Sequence, residues 1–498
     1  MLSAAILAVA VASTAPGGEH PGDLAPNVVV ILIDDMGWTD LACYGSDLHE
    51  TPHIDQLAAE GMKFTDAYAT CPVCSPTRAS LMTGQYPARL NITDWIPGVH
   101  FPHALLLEPE FCQELPLEMT TLAEVMRGGG YRTLHVGKWH LGDEPYYPEH
   151  QGFDVNIAGH SKGAPGSYFH PYQQGNERGG LWDVKNMPPG GEEGDYLTDR
   201  LTDEAITLLK AEGNQPFFLY LSFYAVHTPI MGRPDLLEHY KAKDRTDLNH
   251  TNAAYAAMVH AVDENVGRLM DAIRSAVDDR PTMVLLTSDN GGLVPTTSNA
   301  PLRMGKGWMY EGGIREPFIA WYPGVVAAGA VSDEVITTND ILPTVCAATN
   351  VPLPENQVLD GVDLMPVLRD PKASLHERDV YWHYPHYHTP QKRPSGAVRS
   401  GRYKLIEWYE TGDLELYDLI DDPGEQNNLV STAPEAAAIL QKNLHDWRTR
   451  VGARECQPNP DYDAKNPWRG QSAKWDDRSE PCDCPGRSSA PLPDASSK

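Results

Sequence analysis

The sequence predicts an α/β protein: a large, mainly parallel central sheet flanked by helices, followed by a smaller C-terminal α+β subdomain built on an antiparallel sheet. Three observations predict it. Strand-like apolar runs alternate with helical patterns up to Lys372. Four of those runs break off into polar clusters, as strands do when their carboxyl ends carry a ligand site. Beyond Arg378 the pattern changes to short strands split by turns, and Pro434 to Val451 then reads as a helix. At 498 residues, 41% hydrophobic and 21% charged, the chain has ordinary globular composition and enough length for a large core.

Taken in order, the first segment is MLSAAILAVAVASTAPGGEH. Leu2 to Val11 is apolar and Ala10-Val11-Ala12 offers a small-residue cleavage pattern, so residues 1–12 (extending to 18 on a later cut) read as a secretion signal. This predicts an exported protein, periplasmic or secreted. No other segment is long and apolar enough to span a bilayer. NVVVILI (Asn27 to Ile33) is continuously apolar, as a strand buried on both faces should be, and ends in Asp34-Asp35. RTLHV (Arg132 to Val136) ends in Gly137-Lys138-Trp139-His140, and FFLYLSFYAV (Phe217 to Val226) ends in His227-Thr228-Pro229. Asn252 to Ala276 carries apolar residues at helical spacing, Met258, Val262, Val266, Leu269 and Ile273, and predicts a packing helix. TMVLLTS (Thr282 to Ser288) ends in Asp289-Asn290-Gly291-Gly292. Any one of these polar ends is explained by a cap or a turn. Four at one rim make a site.

The expected domains are 24–372 for the catalytic body and 373–454 for the antiparallel subdomain. A Pro-, Asp- and Ser-rich tail, 455–498, is expected to be extended or disordered. The formal charge of −29 argues against nucleic acid as a partner, and it requires any anionic substrate to be held by cations gathered inside a cleft. Eight cysteines are too few for a disulfide-scaffolded fold of this length.

The stretch Cys71 to Gly84, CPVCSPTRASLMTG, carries the chemistry. Ser75 at the N-cap and Pro76 at the first helical position predict a helix start, with Gly84 closing the helix. Cys74 then precedes a helix N-terminus, where backbone N–H groups favour an anion. From spacing alone, Cys71 and Cys74 fit a redox pair, half of a zinc site, or buried structural cysteines.

Cys74-Ser75-Pro76-Thr77-Arg78, followed by Ala79 to Gly84, resembles the signature of the type I sulfatases, within the alkaline phosphatase superfamily. VVVILIDDMGWTDLACYG, VGKWHLG, YAVHTP, TSDNGG and PLRMGKGWMYEGGIREP are similar to further blocks of that family, in the family's order, from Asn27 to Val451. The resemblance implies a sulfuric ester hydrolase in which Cys74 is oxidised to formylglycine by a formylglycine-generating or anaerobic sulfatase-maturing enzyme. The hydrated aldehyde supplies a hydroxyl that attacks sulfur, and its second hydroxyl lets sulfate leave. It also implies a metal held by Asp34, Asp35, Asp289, Asn290 and the oxygen derived from Cys74. These are hard ligands that suit Ca2+, with Mg2+ second. Arg78 would hold the hydrated aldehyde, and Lys138 and Lys306 the sulfate oxygens. His227, helped by Lys306, would protonate the leaving alcohol, and His140 would take a proton from the second hydroxyl. Cys71 is a bystander in this scheme.

The substrate is less sharply marked. Asn91 to Gly98 and Gly159 to Tyr172 look like loops of carbohydrate sulfatases acting on the 4-sulfate of galacto-configured sugars, in polysaccharides or glycosaminoglycans. Asp94, His160 and Lys162 are the expected sugar contacts there. YWHYPHYH (Tyr381 to His388) offers a polar or stacking wall to the cleft, or else an aromatic seam between domains. Competing readings are a phosphonate or phosphate monoester hydrolase of the same superfamily, a thiol-disulfide protein using Cys71 and Cys74, and a non-catalytic binder of sulfated glycans. Asp40 and Asp55 read as caps or surface groups.

Overall fold

A computed structural model describes residues 24–173, 183–211, 213–275, 280–375, 378–389 and 391–470. The expected leader, 1–12, and the end of the tail lie outside the described residues.

The strand Asn27–Ile33 is buried at every position and lies at the centre of the main sheet. It runs parallel to Phe217–Ser222 on one side and to Thr282–Ser288 on the other. Beyond Phe217–Ser222 come Arg132–Gly137 and Val155–Ile157, both parallel. On the other flank Arg315–Trp321 runs antiparallel to its neighbours Thr282–Ser288 and Met62–Tyr68, and Ala330–Ser332 and Ile336–Thr337 pair parallel with Met62–Tyr68. The sheet is thus nine-stranded, mixed and mainly parallel, and it needs helices on both faces. Ala253–Ser275 packs on one face among Val29, Ile31, Leu219 and Leu286. Cys74–Thr83 packs on the other among Val30, Leu32, Met283 and Leu285.

The second sheet is antiparallel, in the order Asp379–Tyr384, Ser395–Ser400, Tyr403–Trp408, Leu414–Asp418. Its residues alternate strictly. Val380, Trp382, Ala397 and Ile406 face the body with Tyr68 and Ile314. Tyr381, Val398 and Leu405 face the helix Pro434–Val451 through Leu440, Leu444 and Trp447. Among the described residues no helix is long and apolar enough to cross a membrane.

Two expectations change. The helix begins at Cys74 itself, with Val73 at its N-cap and no side-chain cap. Ser75 Oγ is used elsewhere: it donates to the His140 carbonyl at 2.9 Å and accepts from Ile96 N–H at 3.1 Å, tying two loops to the helix start. The tail is bound to the body as far as Gly470. Gln457–Pro458 pairs with Leu106–Leu107, and the Trp468 ring packs edge-on against Phe101 and Tyr387. Its polar composition concealed one aromatic anchor.

Candidate active site

Strand register assembles the site. Ile33 lies opposite Ser288, Leu32 opposite Ser222, and Gly137 opposite Ser222. The next residues along these strands, Asp34, Asp289 and Lys138, therefore emerge at one level. The chain after Phe217–Ser222 stays on the rim through Val226 N–H donating to the Asp34 carbonyl at 2.7 Å, which delivers His227. Asp35 adopts a left-handed backbone, φ 61°, turning its carboxylate back over the strand ends.

Cys74 enters this rim from the helix below. Its thiol lies 3.4 Å from Lys306 Nζ. One turn on, Arg78 is fully buried and donates through Nε to Asp289 at 2.8 Å, and through Nη1 to Ser222 Oγ at 2.5 Å and the Lys138 carbonyl at 3.2 Å. Lys138 Nζ is 2.6 Å from Asp34, and Lys306 Nζ is 2.6 Å from Asp35. Three cations therefore face three carboxylates in a buried space.

That pairing leaves oxygens over. Asp34 Oδ1, Asp35 Oδ2 and Asn290 Oδ1 are buried with no hydrogen-bond partner. Burying such groups unpaired costs about 1–3 kcal/mol each, and more where charge is involved. Asn290 is oriented for this: its Nδ2 donates to Asp35 at 2.8 Å, which leaves its oxygen free. Burial pushes Asp34 up to about 8 despite the Lys138 ammonium. Asp35 is held below the usual carboxylate range because the Lys306 ammonium outweighs its burial, and Asp289 is held down against burial by Arg78. The cluster holds more oxygen donors than its own cations satisfy. Cys74 Sγ lies within 4.8 Å of both an Asp34–Asp289 oxygen pair and an Asp35–His227 pair. The donor set, mostly hard oxygen around one position, fits a divalent cation such as Ca2+.

The two histidines have fixed tautomers. His227 Nδ1 faces the Thr228 carbonyl at 2.9 Å, so that nitrogen carries the proton and Nε2 points to Asp35 Oδ2 at 3.7 Å. His140 Nε2 faces the Ile96 carbonyl at 2.5 Å, which leaves Nδ1 unprotonated and unpartnered. Burial pushes His227 down to about 3 and His140 well below its ordinary value, so both rings are neutral here. A Cβ on Gly163 would lie 2.3 Å from the His140 ring, so only glycine lets that loop cover the imidazole.

Above Cys74 opens a cavity of about 490 Å3. Asp35, Cys74, His140, His227 and Lys306 form its floor, and Trp95, Gly163 to Gly166, Pro229, Leu293 and His388 its walls. Burial pushes the Cys74 thiol up to about 11 and Cys71 well above its ordinary value. A redox pair needs a lowered thiol pKa, so this site is not built for disulfide exchange.

The Sulfatase family profile matches residues 26–351, about two-thirds of the chain. The chain belongs to the sulfatase family. The profile of the C-terminal region of N-sulphoglucosamine sulphohydrolase matches residues 303–451 of this sulfatase. A "Sulfatase" of Formosa agariphila is 32% identical, covering 88% of this chain and 93% of its own. N-acetylgalactosamine-6-sulfatase of Mus musculus is 31% identical, over 84% of this chain and 78% of its own. Among solved structures, Ps i-CgsB in complex with k-i-k-neocarrahexaose superimposes with a TM-score of 0.71 at 27% identity, covering 90% of this chain and 97% of that one. The sulfatase is accordingly a sulfuric ester hydrolase with a mainly parallel α/β body.

Every residue expected at the metal and sulfate end meets at this rim. The three expected sugar contacts do not line the cavity. Asp94 is fully buried and accepts from Tyr384 O–H at 2.7 Å and Trp95 N–H at 2.9 Å, which sets Trp95 in the cavity wall. Burial pushes Asp94 up to about 7. His160 is buried and accepts the Lys162 N–H at 3.2 Å, supporting the loop whose next four residues form the wall. The two loops reach the cavity through other residues, Trp95 and Gly163 to Gly166. Asp40, read as a cap or a surface group, is fully buried and accepts from Gly37 N–H, Tyr255 O–H and Thr297 O–H at 2.6–2.7 Å. It braces the loop that carries Asp35. Lys392 was missed; its Nζ donates to the Lys306 carbonyl at 2.6 Å.

Proposed function

We propose that this sulfatase hydrolyses a sulfate ester on a carbohydrate, the 4-sulfate of a galacto-configured sugar in a sulfated polysaccharide or glycosaminoglycan, after Cys74 has become formylglycine and Ca2+ has bound. The observation that carries the reading is the set of three unpartnered buried oxygens, on Asp34, Asp35 and Asn290, beside Cys74. Those three residues, Asp289 and the oxygen that replaces the Cys74 sulfur would hold the ion. Bound there, the ion supplies charge neutralisation for sulfate and acidifies the attacking hydroxyl, which the hydrated aldehyde provides.

The chain's own residues do the rest. Arg78, locked to Asp289, fixes the nucleophile's side of the site. Lys138 and Lys306 each spend one N–H on a carboxylate and keep others for sulfate oxygens, which gives a −29 chain a local positive field. His227 Nε2 carries no proton in the resting ring. It is protonated when the negative charge of the sulfate ester faces it, and it then hands that proton to the leaving oxygen, with Lys306 beside it. His140 Nδ1, the unpartnered base, takes one from the nucleophile's second hydroxyl. Trp95, Pro229 and Leu293 keep water from the floor.

The galacto configuration draws support from the relative named N-acetylgalactosamine-6-sulfatase and from the solved structure holding k-i-k-neocarrahexaose. The 4-position rests on the loops Asn91 to Gly98 and Gly159 to Tyr172. The same reading takes residues 1–12 as an export signal, a formylglycine-generating or anaerobic maturing enzyme as partner, and 24–372 and 373–454 as the two domains.

The test pairs two measurements. The Cys74 peptide, from a host with maturation machinery, is expected to be lighter by the change from CH2SH to CHO. The protein is then expected to release sulfate from 4-sulfated galactose or N-acetylgalactosamine in preference to the 6-sulfated isomers. An unmodified thiol in active protein would defeat the nucleophile, and preference for 6-sulfates would defeat the regiochemistry.

A further inference from the structure

A second cavity, about 530 Å3, adjoins the first and has no part in the chemistry above. The two share a wall. On one side, Lys306 lies on the floor of the first cavity and Trp308 lines the second, so one residue, Gly307, stands between them along about 7 Å of chain. On the other side, His388 lines the first and Gln391 and Arg393 the second, and Lys392 between them bonds the Lys306 carbonyl. A Cβ on Gly307 would meet Lys392 and His388 at 2.8–2.9 Å, so the two segments pack directly against each other there.

Trp308, Trp408 and Trp468 line this groove, all half-buried. Trp308 and Trp408 stand nearly perpendicular, centroids 6.4 Å apart, and Trp468 is supplied by the tail that docks beneath Tyr387. The polar lining is acidic: Glu410, Asp413 and Glu415 against Arg393 alone. Arg393 is already paired with Glu410 at 3.2 Å.

We propose that this groove is a subsite for an uncharged sugar residue of the same chain whose sulfated residue occupies the first cavity. The proposal rests on the carbohydrate-sulfatase reading above. Aromatic faces bury the apolar face of a sugar ring, and carboxylates accept hydrogen bonds from its hydroxyls. The same carboxylates repel a second sulfate or a uronate. The enzyme therefore prefers a polymer in which the sulfated galacto sugar is followed by a neutral unit over one in which it is followed by a uronic acid.

The probes are a κ-carrageenan tetrasaccharide, with a neutral unit next to galactose 4-sulfate, and a chondroitin 4-sulfate tetrasaccharide, with a uronate. Calorimetric titration of the inert Cys74→Ser protein should show the first binding about tenfold tighter or better. Trp408→Ala should weaken that binding about fivefold or more and leave the chondroitin probe unchanged, with Trp408→Phe restoring most of the loss. Asp413→Lys, an exposed rim change that leaves packing intact, should narrow the preference. Binding of neither probe, or an unaltered preference in Trp408→Ala and Asp413→Lys, overturns the subsite. Failure of the matured wild type to release sulfate from 4-nitrocatechol sulfate would instead strike the sulfatase reading, independently of the titration.

Discussion

Two buried charge clusters in this molecule each set three carboxylates against three cations, yet they differ in how closely those cations reach the oxygens. At the rim of the main sheet, Asp34, Asp35 and Asp289 face Arg78, Lys138 and Lys306. At the seam between the two sheets, Asp66, Glu311 and Glu425 face Arg315, Arg399 and Lys404. In the seam five of the six carboxylate oxygens accept a hydrogen bond, and the sixth, Glu425 Oε1, forms none but lies 3.0 Å from Lys404 Nζ. At the rim, Asp34 Oδ1 has nothing nearer than Arg78 at 3.6 Å, and Asp35 Oδ2 nothing nearer than His227 at 3.7 Å. The cluster between the two sheets brings a donor or a cation against every carboxylate oxygen. A cluster that awaits a ligand keeps some lone pairs free and bears the cost of burying them.

The largest expected effect breaks the rim's chemistry without touching the seam. Cys74→Ala in otherwise matured protein should lower sulfate release on the order of 10³-fold or more, with unchanged circular dichroism. Next, Lys404→Met should cost about 3–5 kcal/mol in urea unfolding, because it strands two buried carboxylates. Lys306→Met should cost activity far more than stability, since Asp35 Oδ1 keeps its bond from Asn290 at 2.8 Å. Equal destabilisation by both variants would erase the distinction between the clusters.

Removal of divalent ions by EDTA should lower Tm, and added Ca2+ should restore it. At a hundredfold excess over Kd the ion contributes about 2.7 kcal/mol. Asp34→Asn should abolish that response, and Glu311→Gln should leave it intact. A calcium response that survives Asp34→Asn would move the ion elsewhere.

The seam also sets a pH dependence. Burial raises the Glu425 carboxyl to about 7 from its ordinary 4.5. The folded state therefore holds a proton that the unfolded chain has released, and stability falls as pH rises from about 4.5 to about 7. Glu311 is held down at about 2, where Lys404 and its neighbours outweigh burial, so its contribution is present above 4.5 and lost as pH falls toward 2. Glu425→Gln should flatten the upper limb only, as read from denaturation midpoints across that range. The smallest effects sharpen the cavity wall: Trp95→Ala should raise KM on carbohydrate substrate several-fold with kcat nearly kept, while Lys162→Ala should stay within about twofold.

Much of this architecture was legible in the sequence. NVVVILI and TMVLLTS are strands over the very residues that their apolar runs span, because a strand buried on both faces has no polar position to blur its ends. The helices Ala253–Ser275 and Pro434–Val451 follow their apolar spacing in the same way. Ser75 misled, since its hydroxyl has the chemistry of a cap, yet two loops from elsewhere in the chain claimed it first. Asp40 misled for a similar reason: its partners, Tyr255 and Thr297, lie more than 200 residues away. Asp94 and His160 lie on loops that reach the cavity through their neighbours Trp95 and Gly163 to Gly166, and no local pattern tells which residue of a loop faces inward.

By itself, then, the sequence determined which segments become strands and which polar residues leave their ends, because hydrophobic period and turn chemistry are local. Only the tertiary structure decided which oxygens stay unpartnered, which loop residues line the cavity, and that a tail tryptophan joins two others beside it. Those outcomes depend on contacts such as Asn290 with Asp35, 255 residues apart, for which no local pattern exists.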